Sequence, residues 1–456
     1  MKKRIDRQSS PLISVEHKGL DNDTGVAAPT SVDGKQSTSA NDGSNQISGA
    51  NDDLHFSTKP LVQDVSPRES MRVLPAWMQP FLTELTGMPL EGEKLILRWT
   101  WQMRLLLAWF VLAASLATSN ALVNAGTTYW FLLPFSWIFT VSALRAFQTT
   151  FVHHASHGNL SGKLWLDNIL GELMSIVAWI MPLSAYAEGH IKGHHPRTGL
   201  LDGNGADDPD LRFIVNYMGF KPGKSRREYW FHLMCLIVSP AFHVRFFMAR
   251  SLANLVTATP KRRFAALVYA LSIAGLTALF GDWILLTLAV LIPGIWLYQV
   301  SGVLQVLTEH AWVRDTSGQL SKREILVRLT FGRFLGCRVP DTKLPTSLRV
   351  LAWIVWFAKM VGVYFPARIF FLMGDLPQHD LHHYSTFSDW KNPAYARRDA
   401  VMKTREANSN TYAYIGVWGL RAMFNRTFDH LASITEDSEL GKPLTYRQRD
   451  DLLLQM

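Results

Sequence analysis

The sequence predicts an all-α integral membrane protein with four transmembrane helices in two hairpins, under a cytoplasmic helical cap that holds a histidine-rich site. Hydrophobic residues make up 48% of the chain and charged residues only 18%, whereas about 25% of residues are charged in a typical soluble protein. The apolar residues form long runs, and many lysines and arginines lie beside these runs. A soluble protein with a large core would not need apolar runs of this length.

Two pairs of apolar runs are long enough to cross a bilayer as helices. Residues 105–123 and 129–147 are separated by the neutral linker NAGTT, and residues 264–280 and 284–307 by the tripeptide GDW. Such short linkers return the chain to the side of the membrane that it left. We therefore predict two helical hairpins.

Three other apolar stretches carry charged or helix-breaking residues. They are residues 164–187, 229–247 and 348–373, interrupted for example by Glu172, Pro240 and Lys359. We predict interfacial or re-entrant helices here. If one of them crossed the membrane between two histidine clusters, those clusters would lie on opposite faces.

Basic residues indicate which face carries the clusters. They gather on the cluster side of the hairpins, at Arg98, Arg104, Arg145, Lys261, Arg262, Arg263, Arg314, Lys322 and Arg323, whereas the hairpin tips have no lysine or arginine. The positive-inside rule makes this the cytoplasmic face. No basic stripe with interleaved aromatics accompanies the net charge of +9, so we expect lipid head groups and no nucleic acid as partners.

The two ends of the chain differ from its middle. Residues 1–70 are rich in Ser, Asp, Gly, Asn and Thr and are predicted to be a disordered tail. We predict a single membrane domain over residues 71–430 and a C-terminal tail over residues 431–456. No apolar stretch follows the N-terminal charges, so a secretory signal peptide is not expected. Two distant cysteines, Cys235 and Cys337, give neither a disulfide framework nor a cysteine metal site.

Three histidine clusters carry the chemistry. They are His153-His154-Ala155-Ser156-His157, His190-Ile191-Lys192-Gly193-His194-His195 and His379-Asp380-Leu381-His382-His383, and Glu309-His310 lies just past the last predicted span. Helix residues three or four apart share one face. We therefore expect His153 and His157 to point at one metal, and His190 and His194 to point at one metal. His379 should repeat this geometry with His382 and His383.

The number of histidines indicates two metals. Setting His154 aside, nine histidines are available, which is too many for one tetrahedral zinc. They suit two ions with four or five nitrogen donors each, and neutral imidazole binds iron, zinc and copper. A lone histidine is more often an ordinary surface or core residue. Three such clusters at the exits of membrane helices are hard to explain in that way.

The spacing HxxxH, HxxxHH and HxxHH, over residues 95–400, resembles the membrane fatty-acid desaturase and hydroxylase superfamily. HHASHG is similar to the family's HDxxHG opening, GHHPRTG with the later DDPDL to its second box, and GDLPQHDLHH to its third. The resemblance implies a non-haem centre of two Fe. Its ligands would be His153, His157, His190, His194, His195, His310, His379, His382 and His383.

Some residues depart from the family pattern, and several carboxylates are candidates to orient the ligand histidines. His154 stands where the family usually has aspartate, and we expect it not to be a direct ligand. The run HHYSTFSDW at the third box also differs from the usual continuation. Candidate carboxylates to orient a ligand imidazole are Asp167, Asp202, Asp207, Asp208, Asp375 and Asp380.

The resemblance implies an oxidoreductase that uses dioxygen to desaturate a fatty acyl chain of a lipid. Two alternatives stay open: a hydroxylase or ketolase of a fatty acid, carotenoid or alkane, and a non-enzymatic membrane metal or haem binder. The sequence has no haem, nucleotide or iron–sulfur motif, so we expect a separate electron donor, a ferredoxin or a small cytochrome with its reductase. We expect it to dock on basic residues around the second and third boxes: Arg197, Lys221, Lys224, Arg226, Arg227, Arg397 and Arg398.

Overall fold

The computed structural model describes residues 66–195, 208–280, 282–312, 321–406 and 414–434. Residues 1–65 and 435–456, which make up most of the two predicted tails, lie outside the described residues. Ordered structure reaches into both predicted tails, however. Arg68 is fully buried and donates hydrogen bonds to Gln79 and Glu93, and Leu431 is also fully buried. Described residues just outside the predicted bounds 71–430 thus pack against the rest of the protein.

Five helices in the described part of the chain are long and apolar enough to cross a membrane. They are Trp101–Asn124, Thr127–Ser156, Pro260–Leu279, Trp283–Val306 and Thr346–Phe370. The first four are the two predicted hairpins, which establishes an integral membrane protein of mainly helical structure. The fifth is the stretch that we predicted to lie at the interface.

Small polar side chains join the two helices of the first hairpin. Thr100 caps Trp101–Asn124 by accepting a hydrogen bond from the Met103 amide. Inside the hairpin, the Ser119 and Ser136 hydroxyls lie 2.6 Å apart, and Ser136 also donates to the Ser115 carbonyl at 2.7 Å. Small residues let membrane helices approach closely, and such hydrogen bonds are satisfied without water.

A hydrogen bond to a carbonyl that a proline leaves free links the second hairpin to the first. Leu286–Leu297 is a π-helix with Pro293 inside it. In a π-helix the amide of residue 293 would bond the carbonyl of Leu288, but proline has no amide hydrogen. The Trp137 indole of the first hairpin donates to this carbonyl instead, at 2.5 Å. The Leu288 carbonyl, which could find no hydrogen-bond donor in lipid, thereby forms a hydrogen bond between the hairpins.

The fifth apolar helix, Thr346–Phe370, is bordered by a polar segment of its own chain. Arg349 donates to the Thr342 carbonyl at 3.2 Å, and the Trp356 indole donates to the Cys337 carbonyl at 3.0 Å. The irregular segment before the helix therefore runs back along its first turns, and it carries charged side chains.

Shorter helices make up the rest of the fold. They are Pro67–Ser70, Met71–Val73, Ala76–Met78, Gln79–Thr86, Leu164–Val177, Leu183–Ala187, Glu188–His194, Pro209–Arg212, Phe213–Tyr217, Arg226–Ile237, Pro240–Leu255, Lys322–Leu329, Leu376–Gln378, His379–Tyr384, Pro393–Glu406 and Leu420–Ser433. With 14 residues, Leu164–Val177 is about 21 Å long and too short to cross. Arg226–Ile237 and Pro240–Leu255 are bent by 66° where they meet, which fits either a re-entrant pair or a broken span.

The cap also contains a small parallel sheet, which the all-α prediction missed. Gly332–Phe334 pairs with Gly416–Trp418 in register. Strands of three residues are too short to show the alternation that identifies a strand in sequence. Around them the cap core joins Phe220, Leu307 and Phe428 from distant segments, so the chain after the second hairpin packs against the chain before it.

Candidate metal centre

The nine histidines of the predicted ligand set come together where the spanning helices meet the cap. His153 and His157 lie at the end of the second spanning helix. The second box lies on and just after the helix Glu188–His194, and the third box lies on His379–Tyr384. His310 lies just after the spanning helix Trp283–Val306 and is fully buried. Segments far apart in sequence thus contribute to one site.

The first histidine set contains residues from all three boxes. The candidate ligand atoms of His153, His157, His190 and His382 all lie within 4.8 Å of one another, and His153 Nε2 is 3.0 Å from His382 Nε2. His195 joins this set, because its Nε2 is 3.0 Å from His190 Nε2 and 3.3 Å from His382 Nε2. Five imidazoles surround one position.

The second histidine set adjoins the first. His194, His310 and His383 converge within 4.8 Å, with His194 Nε2 3.2 Å from His310 Nε2. His379 Nε2 lies 3.0 Å from His383 Nε2 and 3.0 Å from Glu309 Oε1. Glu309 forms a further candidate group with His310 and His379. In the sequence, the one signal for Glu309 as a ligand is its position next to His310.

The second box differs from the α-helical geometry that we expected. His190 and His194 do not point at one metal: His190 belongs to the first set and His194 to the second. The reason is that Glu188–His194 is a π-helix, in which residues five apart share a face. The His195 amide donates to the His190 carbonyl at 3.0 Å, and this brings their Nε2 atoms together. His153 and His157 do share a set, as expected.

The spacing of the ring nitrogens fits metal ligation. Two ligand nitrogens at right angles around a metal, each about 2.1 Å from it, are about 3.0 Å apart. The contacts within both sets, at 3.0–3.3 Å, agree with this. His157 Nε2 is buried and has no hydrogen-bond partner among the described residues. The histidines present therefore fit two adjacent metal ions, although their geometry does not choose iron over another imidazole-binding metal.

Most of these imidazoles are held in the neutral form that binds metals. Burial lowers the pKa of His157 to about 4 and the pKa of His195 to about 2. Burial likewise lowers the pKa values of His190, His310, His379, His382 and His383. His194 is the exception. Its burial lowers the pKa, but the carboxylates of Asp208 and Asp210 outweigh that effect and raise the pKa to about 9.

Comparison with known proteins agrees with this geometry. The family model described as "Fatty acid desaturase" matches residues 127–337, which contain the first two boxes and His310. This match and the relative described below support assignment of the chain to the membrane fatty-acid desaturase and hydroxylase superfamily. The third box lies beyond the matched residues, but in the structure it completes both histidine sets.

The chain is also similar to the "sn-1 oleoyl-lipid 12-desaturase" of Anabaena variabilis, with which it is 34% identical over 82 residues. The similarity covers 18% of this chain and 22% of the relative, so the chain matches about a fifth of that protein's length. No solved structure matches the chain.

A carboxylate orients one ligand from the second box. Asp208 Oδ2 lies 2.9 Å from His194 Nδ1 and is fully buried. Asp208 also caps the helix Pro209–Arg212 through its other oxygen, so its position is fixed from two sides. When His194 Nε2 faces a metal, Nδ1 carries the proton and donates it to Asp208, which fixes the ring and makes it a stronger ligand. Two other predicted candidates, Asp202 and Asp207, lie outside the described residues.

His154 occupies a supporting position. Its Nε2 lies 2.9 Å from Asp375 Oδ2, and its ring stacks on Trp390 at 4.6 Å between centroids. His154 belongs to none of the candidate metal groups found among the described residues. Gly374 (φ +58°) makes this contact possible, because a β-carbon there would lie 2.2 Å from Thr150 Oγ1. The histidine in the place of the family's aspartate therefore contacts an aspartate that comes from the third-box segment.

Two further predictions about charged residues need correction. Asp167 does not approach the histidines but accepts hydrogen bonds from the Leu160 and Ser161 amides. Arg397 is not part of an exposed docking surface, because it is 5% exposed and donates to both oxygens of Asp380 at 2.7–2.9 Å. This ion pair fixes the third-box helix His379–Tyr384 to the helix Pro393–Glu406. The predicted docking residue Arg197 lies outside the described residues.

Proposed function

We propose that this protein is a dioxygen-dependent, non-haem di-iron oxidoreductase that desaturates a fatty acyl chain of a lipid. The observation that supports this most directly is the pair of adjacent histidine sets at the membrane boundary. Each set has enough nitrogen donors for one metal ion, and the family match covers the helices that carry most of them. The name of the matched relative favours desaturation, and hydroxylation is the alternative outcome of the test below.

The chain's own residues orient and shield the ligands. Bound iron would supply, with dioxygen, the oxidant that an unactivated C–H bond needs. The Tyr186 oxygen lies 3.3 Å from His153 Nδ1, where it can accept a hydrogen bond from the ring N–H, and its ring stacks on His190. Asp208 likewise accepts a hydrogen bond from His194 Nδ1. Burial raises the pKa of Tyr186, so Tyr186 stays neutral.

The electrons for this reaction exceed what the substrate provides. Removing two hydrogens supplies two electrons, whereas reducing dioxygen to two waters consumes four. We therefore propose a separate donor, a ferredoxin or a small cytochrome with its reductase, that binds at the cytoplasmic face. Arg397 takes no part in this binding because it is buried against Asp380.

Metal analysis, product analysis and donor dependence together test the function. Purified protein should contain iron, and lipids from cells that express it should lose two hydrogens relative to lipids from cells that express His383→Ala. Product formation in vitro should require a reduced ferredoxin or cytochrome. Addition of one oxygen without loss of hydrogen would establish the hydroxylase instead. Turnover with NADPH alone would show that no separate electron donor is needed. Unchanged lipids together with the absence of bound iron would contradict the proposed function.

The topology that we propose has four crossing helices, with Thr346–Phe370 on the cytoplasmic surface. Its support is that His310 and His379, on either side of this helix, lie in one site with ring centroids 5.6 Å apart. A single crossing between them would put them on opposite faces, about 30 Å apart.

Site-directed labelling tests this topology. Single cysteines are placed at the exposed positions Lys163, Lys403 and Thr128 in a chain without Cys235 and Cys337. A membrane-impermeant maleimide should label Lys163→Cys and Lys403→Cys from the cytoplasmic side and Thr128→Cys from the other side. Because Lys403 follows Thr346–Phe370, labelling of Lys403→Cys together with Thr128→Cys would show a fifth crossing.

A further inference from the structure

A cavity lies against the histidines, next to the cytoplasmic ends of the spanning helices. It has a volume of about 130 Å³ and is lined by His153, His190 and His194 together with residues of the second and fourth spanning helices. Binding of an acyl chain by itself would require only an apolar cavity wall. This wall instead carries two arginines, Arg145 and Arg250, which an acyl chain does not require.

Arg145 is a buried cation with incomplete partners. Its side chain faces the cavity, and the residue is only 3% exposed. Its two terminal nitrogens donate to the side-chain oxygens of Gln148 and Gln305, and its guanidinium lies 5.1 Å from the Tyr298 ring centre. Its Nε is buried without a partner among the described residues. None of these neighbours carries a negative charge.

Arg250 and Glu309 are already engaged in other contacts. Arg250 donates to the backbone carbonyls of Trp179, Gly294 and Ala178, so it adds positive potential to the cavity while its donors are used. Glu309 accepts from Gln305 with one oxygen and faces His379 with the other. Glu309 thus reaches Arg145 only through an intervening amide. The positive charge of Arg145 is left without a direct counterion in the described structure.

A basic residue that only marks the cytoplasmic end of a span would be expected at the surface. Arg263 has that position, since it is exposed on the first turn of Pro260–Phe280. Arg145 differs because it is buried and faces the cavity beside the histidines. Burying an unpaired charge is costly, and guanidinium donors match the oxygens of a carboxylate or phosphate.

We propose that Arg145 binds an anionic oxygen group of the substrate, a carboxylate or a phosphate, inside this cavity. This inference rests on the proposed function, because it describes the substrate of the same site. Arg145 and His153 are eight residues apart on one spanning helix, which is about two turns, and both line the cavity. The reacting carbon would therefore lie several bonds from the anionic group. A substrate whose polar head stays at the membrane surface would not meet this requirement.

Ligand binding tests the proposal without requiring turnover. Three twelve-carbon probes, dodecanoate, dodecyl phosphate and dodecanol, are titrated into detergent-solubilised protein, and dissociation constants are measured by calorimetry. Wild type should bind at least one anionic probe ten or more times as tightly as dodecanol, and the two anions distinguish carboxylate from phosphate. Arg145→Gln should lose this preference but bind dodecanol within about threefold of wild type, whereas Arg145→Lys should keep part of it. In each case a factor of ten corresponds to about 1.4 kcal/mol.

Arg263→Gln is the matched control, because it removes an exposed positive charge at the cytoplasmic end of another span. It should retain the full preference for the anion. Equal binding of all three probes by wild type, no binding of any probe, a preference that survives Arg145→Gln, or equal loss in Arg263→Gln would each overturn the proposal. If Arg145→Gln fails to fold, a total loss of the preference in folded Arg145→Lys would overturn it. An intact preference in a protein without iron or turnover would refute the proposed function and leave this binding site standing.

Discussion

Replacing His310 by alanine is expected to remove the metal of the second histidine set and to abolish turnover. His310 Nε2 lies 3.2 Å from His194 Nε2, and His310 is also one of the candidate group with Glu309 and His379. The residue is fully buried, so water could replace the lost nitrogen only poorly. Metal content per chain by mass spectrometry, together with product formation, measures both effects.

Two other variants show whether the loss is specific. His157→Ala should instead lower metal binding at the first set, to which His157 contributes an otherwise unpartnered Nε2. His154→Gln should retain both metals, because His154 contacts Asp375 and Trp390 and joins neither set. Full metal content and full turnover in His310→Ala would exclude His310 from the ligands.

Replacing Arg397 by methionine is expected to destabilise the protein strongly. Arg397 and Asp380 form a buried ion pair, with side chains 7% and 1% exposed. Removing one partner of a buried pair leaves the other charge uncompensated, which typically costs about 3–5 kcal/mol. Because Asp380 lies between His379 and His382, the variant should also lose metal. Thermal unfolding in detergent, followed by tryptophan fluorescence, and metal analysis measure these effects.

The neighbouring Arg398→Met provides the control. Arg398 pairs with Asp399, whose side chain is 56% exposed, and such pairs contribute about 0–1 kcal/mol. The double variant Arg397→Met, Asp380→Asn removes both charges and should recover part of the lost stability. If Arg397→Met unfolds at the same temperature as Arg398→Met, the buried pair does not stabilise the third box.

The sequence was sufficient where a pattern depends on local spacing. Four apolar runs of spanning length identified the two hairpins, since the hydrocarbon thickness sets that length directly. His153 and His157 fall in one candidate metal group, because the chain there is α-helical. Cys235 and Cys337 both have free thiols.

Other features depend on contacts that spacing does not encode. Arg397 and Arg398 are adjacent and chemically alike, yet Arg397 is buried against Asp380, whereas the side chain of Arg398 is 24% exposed and pairs with Asp399. Only the packing of Pro393–Glu406 decides which of the two lies inside. Similarly, Thr346–Phe370 has the composition of a spanning helix, and composition alone does not determine whether it crosses the membrane.

Because the second box lies on a π-helix, the geometry of the site depends on the number of residues in that box. A π turn holds one residue more than an α turn, and here this extra residue separates His190 from His195 by the five positions that bring their Nε2 atoms to 3.0 Å. Lys192 lies on the outside of this turn, where it pairs with the exposed Glu188. Substitution of Lys192 is therefore expected to leave the histidines in place, whereas deletion of a single residue between the histidines would rotate His194 and His195 away from their candidate metal positions. In this segment the site depends more on the spacing of the histidines than on the identity of the residue between them.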